Sequence, residues 1–141
     1  MTLYLDTSVL VAASTREVKT DRVQAWLDEQ ARNRLIISDW VITEFSSALS
    51  IKLRSGQIGF IHRADALAEF SRLAAESLTI LPVSGLQFRT AARFADHYVL
   101  GLRAGDALHL AICSDHGATL CTLDRGLSEA GAALGVKTML L

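Results

Sequence analysis

The sequence contains little proline and glycine, which interrupt helices and strands, and little cysteine, which can form disulfides. Its 141 residues include one proline, nine glycines and two cysteines. So little proline and glycine excludes a low-complexity or linker-rich chain. Cys113 and Cys121 lie in apolar segments, and their spacing matches no zinc motif. They predict buried thiols in a reducing compartment rather than a disulfide framework.

Long apolar runs and a surplus of positive charge are also missing. No run approaches the roughly 20 residues that span a bilayer. The N-terminus MTLYLDTSVLVAAS has no basic region, and Asp6 interrupts its apolar residues, which argues against a signal peptide. We therefore expect a cytoplasmic protein with no membrane association. The net charge is −1, so a nucleic-acid partner would have to be attracted by local groups or metal ions.

What the sequence does contain is an alternation of short apolar runs with longer segments of helical periodicity. The runs predict strands at 3–5, 35–37, 78–83, 118–123 and 136–141. The other segments predict helices at 8–14, 19–33, 40–54, 59–77, 85–98, 106–116 and 126–134. Wholly apolar strands are typical of a parallel sheet buried on both faces. We expect one α/β domain over residues 1–141, a three-layer α/β/α sandwich with a central, mostly parallel sheet.

Four isolated acids are predicted to meet at one edge of this sheet. Asp6 and Asp124 directly follow the first and fourth strands. Asp106 opens the helix that returns to the fourth strand, and Glu44 lies in the first or second turn of the helix after strand two. Returning helices begin near the carboxyl edge of a parallel sheet, where sites form in such folds. Each acid alone also fits a turn or helix cap, so the prediction depends on their joint placement.

Such a cluster points to hydrolysis at a metal site. Neighbouring carboxylates raise each other's pKa or require a cation, and oxygen ligands suit Mg²⁺ or Mn²⁺. Two such ions can clamp a phosphodiester and lower the pKa of an attacking water. The hydroxyls of Thr7, Ser8 and Thr122 are candidates for supporting the ligands or contacting substrate. We interpret His109, one turn after Asp106, as a satisfied core or rim histidine rather than a ligand.

At these residues the sequence resembles the PIN-domain family, and within it the VapC-type toxins. The resemblance is carried by LYLDTSVLVA, ISDWVITEFSSAL, LRAGDALHLAIC and LCTLDRGL, which contain the four acids in order. It implies a PIN-like fold and a Mg²⁺- or Mn²⁺-dependent endoribonuclease that acts as the toxin of a toxin–antitoxin pair. By this analogy Asp6, Glu44, Asp106 and Asp124 are the catalytic and metal-binding acids.

The resemblance also implies partners. A cognate VapB-type antitoxin is expected to obstruct the site, and a homodimer is expected, with the 85–98 helix as part of its interface. The walls of an antitoxin groove are expected in the 19–33 and 40–54 helices, near Trp26, Phe45 and Leu49, although these three fit a core better than a binding stripe. Single-stranded or looped RNA is the expected substrate. Candidate backbone contacts are Arg16, Arg54, Arg103 and Arg125.

Two other interpretations remain open from the residues alone. Aspartates also follow parallel strands in receiver domains and dehalogenase-type phosphatases. A phosphatase of that type has a second Asp two residues after the first, where this chain has Ser8. A receiver needs a Lys near the end of its fifth strand, whereas Lys137 precedes the last strand. The other alternative is a non-catalytic α/β binding module whose acids only cap helices.

Overall fold

The computed structural model describes all residues from Met1 to Leu141 and contains one five-stranded sheet. The strands are β1 (Leu3–Leu5), β2 (Leu35–Ser38), β3 (Thr79–Leu81), β4 (Thr119–Thr122) and β5 (Thr138–Leu140). Their spatial order is β3-β2-β1-β4-β5, and every neighbouring pair is parallel. The predicted α/β sandwich is confirmed, with a sheet that is parallel throughout.

Seven α-helices connect these strands. They are α1 (Thr7–Ser14), α2 (Thr20–Asp28), α3 (Asp39–Arg54), α4 (Phe60–Ser77), α5 (Gly85–Ala95), α6 (Ala104–His116) and α7 (Arg125–Ala133). None of them is both long and apolar enough to cross a lipid bilayer. Because β1, β2 and β4 are each followed by a helix, the N-termini of α1, α3 and α7 lie at the carboxyl edge of the sheet.

The core is densest around the central strand and the helix that packs on it. All of β1 is buried, as are the consecutive residues 107–113 of α6. A cluster of 30 buried residues includes both segments. This is why both elements read as continuous apolar runs rather than as alternating patterns.

Several predicted boundaries differ from the observed ones. α2 ends at Asp28 instead of 33, and a 3₁₀ turn at Arg32–Arg34 leads into β2. α5 ends at Ala95 instead of 98, and a second 3₁₀ turn at Tyr98–Leu100 follows it. That turn ends at Gly101, whose φ of +64° is in the left-handed region that glycine tolerates. α6 therefore begins at Ala104, which places Asp106 inside its first turn.

The aromatic and aliphatic side chains assigned near an antitoxin groove belong to the core. Phe45 and Leu49 are fully buried, and the ring of Phe45 stacks on Phe70 with 4.2 Å between centroids. Trp26 packs against the same cluster. The core interpretation is confirmed for Phe45 and Leu49, which offer a partner no surface, whereas Trp26 is only partly buried.

Candidate active site at the carboxyl edge of the sheet

Asp6 and Asp124 each end a strand and cap the helix that follows. The Asp6 carboxylate accepts a hydrogen bond from the Val9 backbone N–H at 3.3 Å, at the start of α1. Asp124 accepts one from the Leu127 N–H at 3.2 Å, at the start of α7. Both capping contacts satisfy backbone donors that a helix leaves free. The capping interpretation is therefore true of both acids, and it does not conflict with a second role.

The Asp6 carboxylate is buried between two hydroxyls. Its Oδ1 accepts from Ser8 Oγ and its Oδ2 from Thr122 Oγ1, each at 2.5 Å. Burial raises the pKa of Asp6 above its ordinary value, although the Ser8 and Thr122 hydrogen bonds oppose that shift. Ser8 Oγ and Thr122 Oγ1 in turn accept from the backbone N–H groups of Leu123 and Asp124. These bonds tie the ends of β1 and β4 together.

Glu44 lies in the second turn of α3 and is half-buried. Its Oε1 accepts a hydrogen bond from Thr7 Oγ1 at 2.6 Å and contacts the Nε2 atom of His109. Burial acts to raise the pKa of Glu44, but the hydrogen bond and charge of His109, with the Thr7 hydroxyl, outweigh it. The pKa of Glu44 is therefore lowered, which favours the ionised carboxylate.

The pKa of Asp106 is raised by its surroundings, which include the other three acids. Burial raises its pKa, and the negative charges of Asp124, Glu44 and Asp6 raise it further, while His109 acts in the opposite sense. The structure thus brings all four acids near enough to interact at the predicted edge. No group of three or more His, Cys, Asp or Glu side chains is arranged to hold a metal ion as it stands.

Two features of this edge were missed from the sequence. Tyr4 in β1 hydrogen-bonds both Ser38 Oγ and His109 Nδ1, each at 2.7 Å. Gly105 leaves room for Glu44, because a Cβ at that position would lie 2.8 Å from Glu44 Oε2. A polar hydroxyl within an apolar strand, two residues before Asp6 and on the same strand face, was the available signal for Tyr4. The interpretation of His109 as a satisfied, buried histidine is confirmed.

The candidate arginines fall into two groups. Arg103 is the N-cap of α6 and Arg125 is the first residue of α7, so both lie exposed beside site acids. Arg54 ends α3, about 15 Å along the helix from Glu44. Arg16 precedes the segment that borders the groove described next. Arg103 and Arg125 are thus the two that the fold places at the edge.

A groove of about 640 Å³ opens next to the acids. It runs from Thr7, Ser8 and Asp124 to the segment between α1 and α2, where Val18 is fully exposed. Its remaining lining residues are Val11, Glu17, Lys19, Ala48 and Leu123. Glu17 forms an ion pair of 3.0 Å with Lys52 at this border. The groove combines an apolar wall with a carboxylate end.

Comparison with known proteins agrees with this geometry. The PIN-domain family model matches residues 3–133. Ribonuclease VapC35 of Mycobacterium tuberculosis is 30% identical over 139 residues, which are 95% of this chain and 93% of that protein.

Solved structures share the fold at low sequence identity. VapC20 of Mycobacterium tuberculosis, described as a toxin that cleaves the sarcin–ricin loop, has a TM-score of 0.75 and 18% identity, covering 92% of this chain and 95% of that one. VapBC2 of Rickettsia felis, bound to a DNA fragment from its promoter, has a TM-score of 0.66 and 16% identity, covering 99% and 98%. With a family model and a VapC-type relative both matched along nearly its whole length, the chain belongs to the PIN-domain family as a VapC-type member.

Proposed function

We propose that the chain is a divalent-metal-dependent endoribonuclease and the toxin of a toxin–antitoxin pair. The observation that carries this proposal is the convergence of Asp6, Glu44, Asp106 and Asp124. The charges of the other three acids raise the pKa of Asp106. Four neighbouring carboxylates without a counter-charge repel one another, and a cation relieves that repulsion. The relationship to Ribonuclease VapC35 supports RNA as the substrate.

The four carboxylates would hold the metal. The hydroxyls of Thr7, Ser8 and Thr122 would orient two of them, Glu44 and Asp6. Oxygen ligands of this kind fit Mg²⁺ or Mn²⁺. Each carboxylate oxygen carries two lone pairs. An oxygen that accepts a hydrogen bond from a hydroxyl can therefore still bind a cation. A bound divalent cation would lower the pKa of an attacking water and offset the charge that develops on the phosphate. The protein's own contribution is to hold the Asp6 and Glu44 carboxylates in place through these hydroxyls.

Arg103 and Arg125 are the best-placed cations for the RNA backbone. Each is exposed and lies within three residues of a site acid. The net charge of −1 favours a few local contacts over broad attraction to RNA. We expect an accessible single-stranded or looped RNA, since its bases and backbone can reach a recessed edge.

The groove beside the acids is the proposed seat of a VapB-type antitoxin. Its wall at Val11, Val18 and Ala48 suits apolar anchors, and its end at Asp124 suits a cationic group. A partner docked there would cover Thr7, Ser8 and Asp124. The structural neighbour VapBC2 is itself a toxin–antitoxin complex.

A homodimer is proposed through α5 and the turn after it. Large apolar side chains are exposed there at Leu86, Phe88, Tyr98 and Val99. The expected interface therefore continues past the observed end of α5 into the 3₁₀ turn.

A non-catalytic binding module is the second candidate, and one observation favours it. Asp6 and Asp124 already serve as helix caps, and the acids do not stand ready-made as a metal site. The two candidates differ in metal binding. If the chain is a binding module, titration of the wild type with Mn²⁺ should show no binding, and Asp6→Asn should give the same result.

The deciding experiment combines RNA cleavage with a charge-matched control. Purified wild-type protein, Asp106→Asn and Asp65→Asn are incubated with total bacterial RNA, and new RNA ends are mapped with Mn²⁺, with EDTA, and after Mn²⁺ is restored. Asp65 is exposed on α4, outside the site. We expect metal-dependent cleavage by wild type and Asp65→Asn, and none by Asp106→Asn. Cleavage that persists after chelation, or equal cleavage by Asp106→Asn, contradicts the proposal.

A further inference from the structure

A line of buried polar groups runs behind Glu44, and nothing in the site described so far uses it. Ser38 Oγ lies 2.7 Å from the Tyr4 hydroxyl, and that hydroxyl lies 2.7 Å from His109 Nδ1. The other ring nitrogen of His109, Nε2, contacts Glu44 Oε1. Ser38 and Tyr4 are fully buried, and His109 is 2% exposed. Buried polar groups need partners, so each member of this line fixes the next.

The direction of the last contact follows from the chemistry of the carboxylate. An ionised carboxylate only accepts hydrogen bonds, so the Nε2–H of His109 donates to Glu44 whether the imidazole is neutral or protonated. Nδ1 is engaged by Tyr4 in either case. Both ring nitrogens are therefore occupied, and neither is free to bind a metal.

The two oxygens of Glu44 have different surroundings. Oε1 accepts from both Thr7 and His109, whereas Oε2 has no hydrogen-bond partner. Oε2 lies next to Gly105 of α6, where a Cβ would be only 2.8 Å away. The carboxylate is thus anchored by one oxygen, and the other is left available next to the first turn of the helix that carries Asp106.

We propose that His109 is a positioning residue: held by Tyr4 and Ser38, it fixes Glu44 through Oε1 so that Oε2 is presented to the cation of the ribonuclease site. This role rests on the proposed function, since it concerns the same site. Partners that orient a metal ligand typically contribute about 10- to 100-fold to metal affinity.

Substitutions can separate the hydrogen bond from the volume of the ring. His109→Gln retains an amide N–H that can reach toward Glu44, whereas His109→Leu has no donor. The Tyr4 hydroxyl keeps Ser38 Oγ as a partner in His109→Leu, so this single substitution does not leave it unpaired. His62→Leu removes an exposed histidine of α4 and is the control. Each protein is checked for a thermal unfolding transition and titrated with Mn²⁺ by calorimetry.

We expect His109→Leu to bind Mn²⁺ about 10- to 100-fold more weakly than wild type. His109→Gln should recover most of that loss, and His62→Leu should bind like wild type. If folded His109→Leu binds like wild type, or if Gln and Leu at position 109 are equally impaired, the positioning role is overturned while the metal site stands. If the wild type itself binds no Mn²⁺, the proposed function fails first.

A spectroscopic measurement on the metal-free wild type tests the hydrogen bond even if a variant fails to fold. Of the four histidines, only His109 is buried. In a protein labelled with ¹⁵N-histidine, we expect a ring N–H at Nε2 that exchanges slowly with solvent and is absent from His109→Gln. Lack of any protected Nε2–H signal overturns the proposal.

Discussion

At the scale of single residues, the site depends on groups that hold the acids as much as on the acids. Asp6 is held between Ser8 and Thr122, and Glu44 by Thr7 and His109. The four acids could be predicted from the sequence because each follows a strand or lies within the first two turns of a helix. Tyr4 and Gly105 could not, because the role of Tyr4 depends on contacts with residues at least 34 positions away in the chain, and that of Gly105 on space that only the folded chain defines.

Gly105→Ala should separate metal binding from stability. The added Cβ would displace Glu44 Oε2, and the side chain cannot move away without breaking its contact with Thr7 or His109. We expect Mn²⁺ affinity to fall by roughly tenfold. Alanine is also a better helix former than glycine by up to about 1 kcal/mol, so the thermal midpoint should not fall in parallel.

Gly131→Ala is the matched control for that substitution. A Cβ there would lie 2.6 Å from Thr138 Cγ2 and 2.9 Å from Leu110 Cδ2, in the packing of α7 against β5 and α6. This variant should lower the thermal midpoint and leave Mn²⁺ affinity unchanged. An unchanged Mn²⁺ affinity in Gly105→Ala, or a lowered Mn²⁺ affinity with an unchanged thermal midpoint in Gly131→Ala, would contradict the assigned contacts.

Asp106 should destabilise the metal-free protein when it is ionised. Its pKa is raised in the folded state by burial and by the neighbouring acids, so the folded protein binds this proton more tightly than the unfolded chain does. Asp106→Asn should therefore raise the thermal midpoint at pH 7, even though it removes about 0.3–1 kcal/mol of helix-dipole stabilisation.

That gain has a defined pH dependence. It should be full above the raised pKa, shrink as the pH falls through it, and vanish below the ordinary aspartate pKa, where wild-type Asp106 is protonated in both states. Thermal unfolding of both proteins across this range, without metal, measures it. A midpoint difference that does not vary with pH would show that the Asp106 charge is not the cause.

At the scale of helices and strands, the order of elements was predictable and their ends were less so. The periodic apolar residues determine α3 and α4 almost to the residue. α2 and α5 end earlier than predicted, because residues 29–33 and 96–98 carry almost no apolar side chains that could mark where the periodic pattern stops, and each segment leads into a 3₁₀ turn instead. α5 has the clearest local signal, a capping box in which Ser84 and Gln87 bond each other's backbone N–H groups.

Ser84→Ala should test that signal. The substitution removes the oxygen that accepts from the Gln87 N–H at 3.2 Å, so we expect the free energy of unfolding to fall by about 1 kcal/mol. Because Gln87 of this capping box bonds Asp115, near the end of α6 opposite to Asp106, Mn²⁺ affinity should stay at the wild-type value. Urea titration followed by circular dichroism gives the first quantity. A loss of metal affinity would show coupling that the described contacts do not account for.

At the scale of the whole molecule, the parallel sheet brings residues that are distant in the sequence close together in space. Asp6 and Thr122 are 116 positions apart in the chain, yet they share a hydrogen bond because β1 and β4 are neighbours in register. The alternation of strands and helices was enough to predict a shared edge. It could not give the strand order, because the order depends on which apolar faces pack best in three dimensions.

The single-domain prediction leads to a simple unfolding experiment. One cluster of 30 buried residues connects the sheet to helices at both ends of the chain. We expect one cooperative transition in urea, with the same midpoint by tryptophan fluorescence, which reports on Trp26 and Trp40, and by far-ultraviolet circular dichroism. Two separated midpoints would indicate independently folding parts.

The most direct test of the central claim is to locate Mn²⁺ in crystals by its anomalous scattering. The claim is that four acids distant in sequence hold a divalent cation at the carboxyl edge of the sheet. An anomalous peak in contact with carboxylate oxygens among Asp6, Glu44, Asp106 and Asp124 is the predicted result. A well-ordered edge with no peak at saturating Mn²⁺, or a peak bound only elsewhere on the surface, would contradict it.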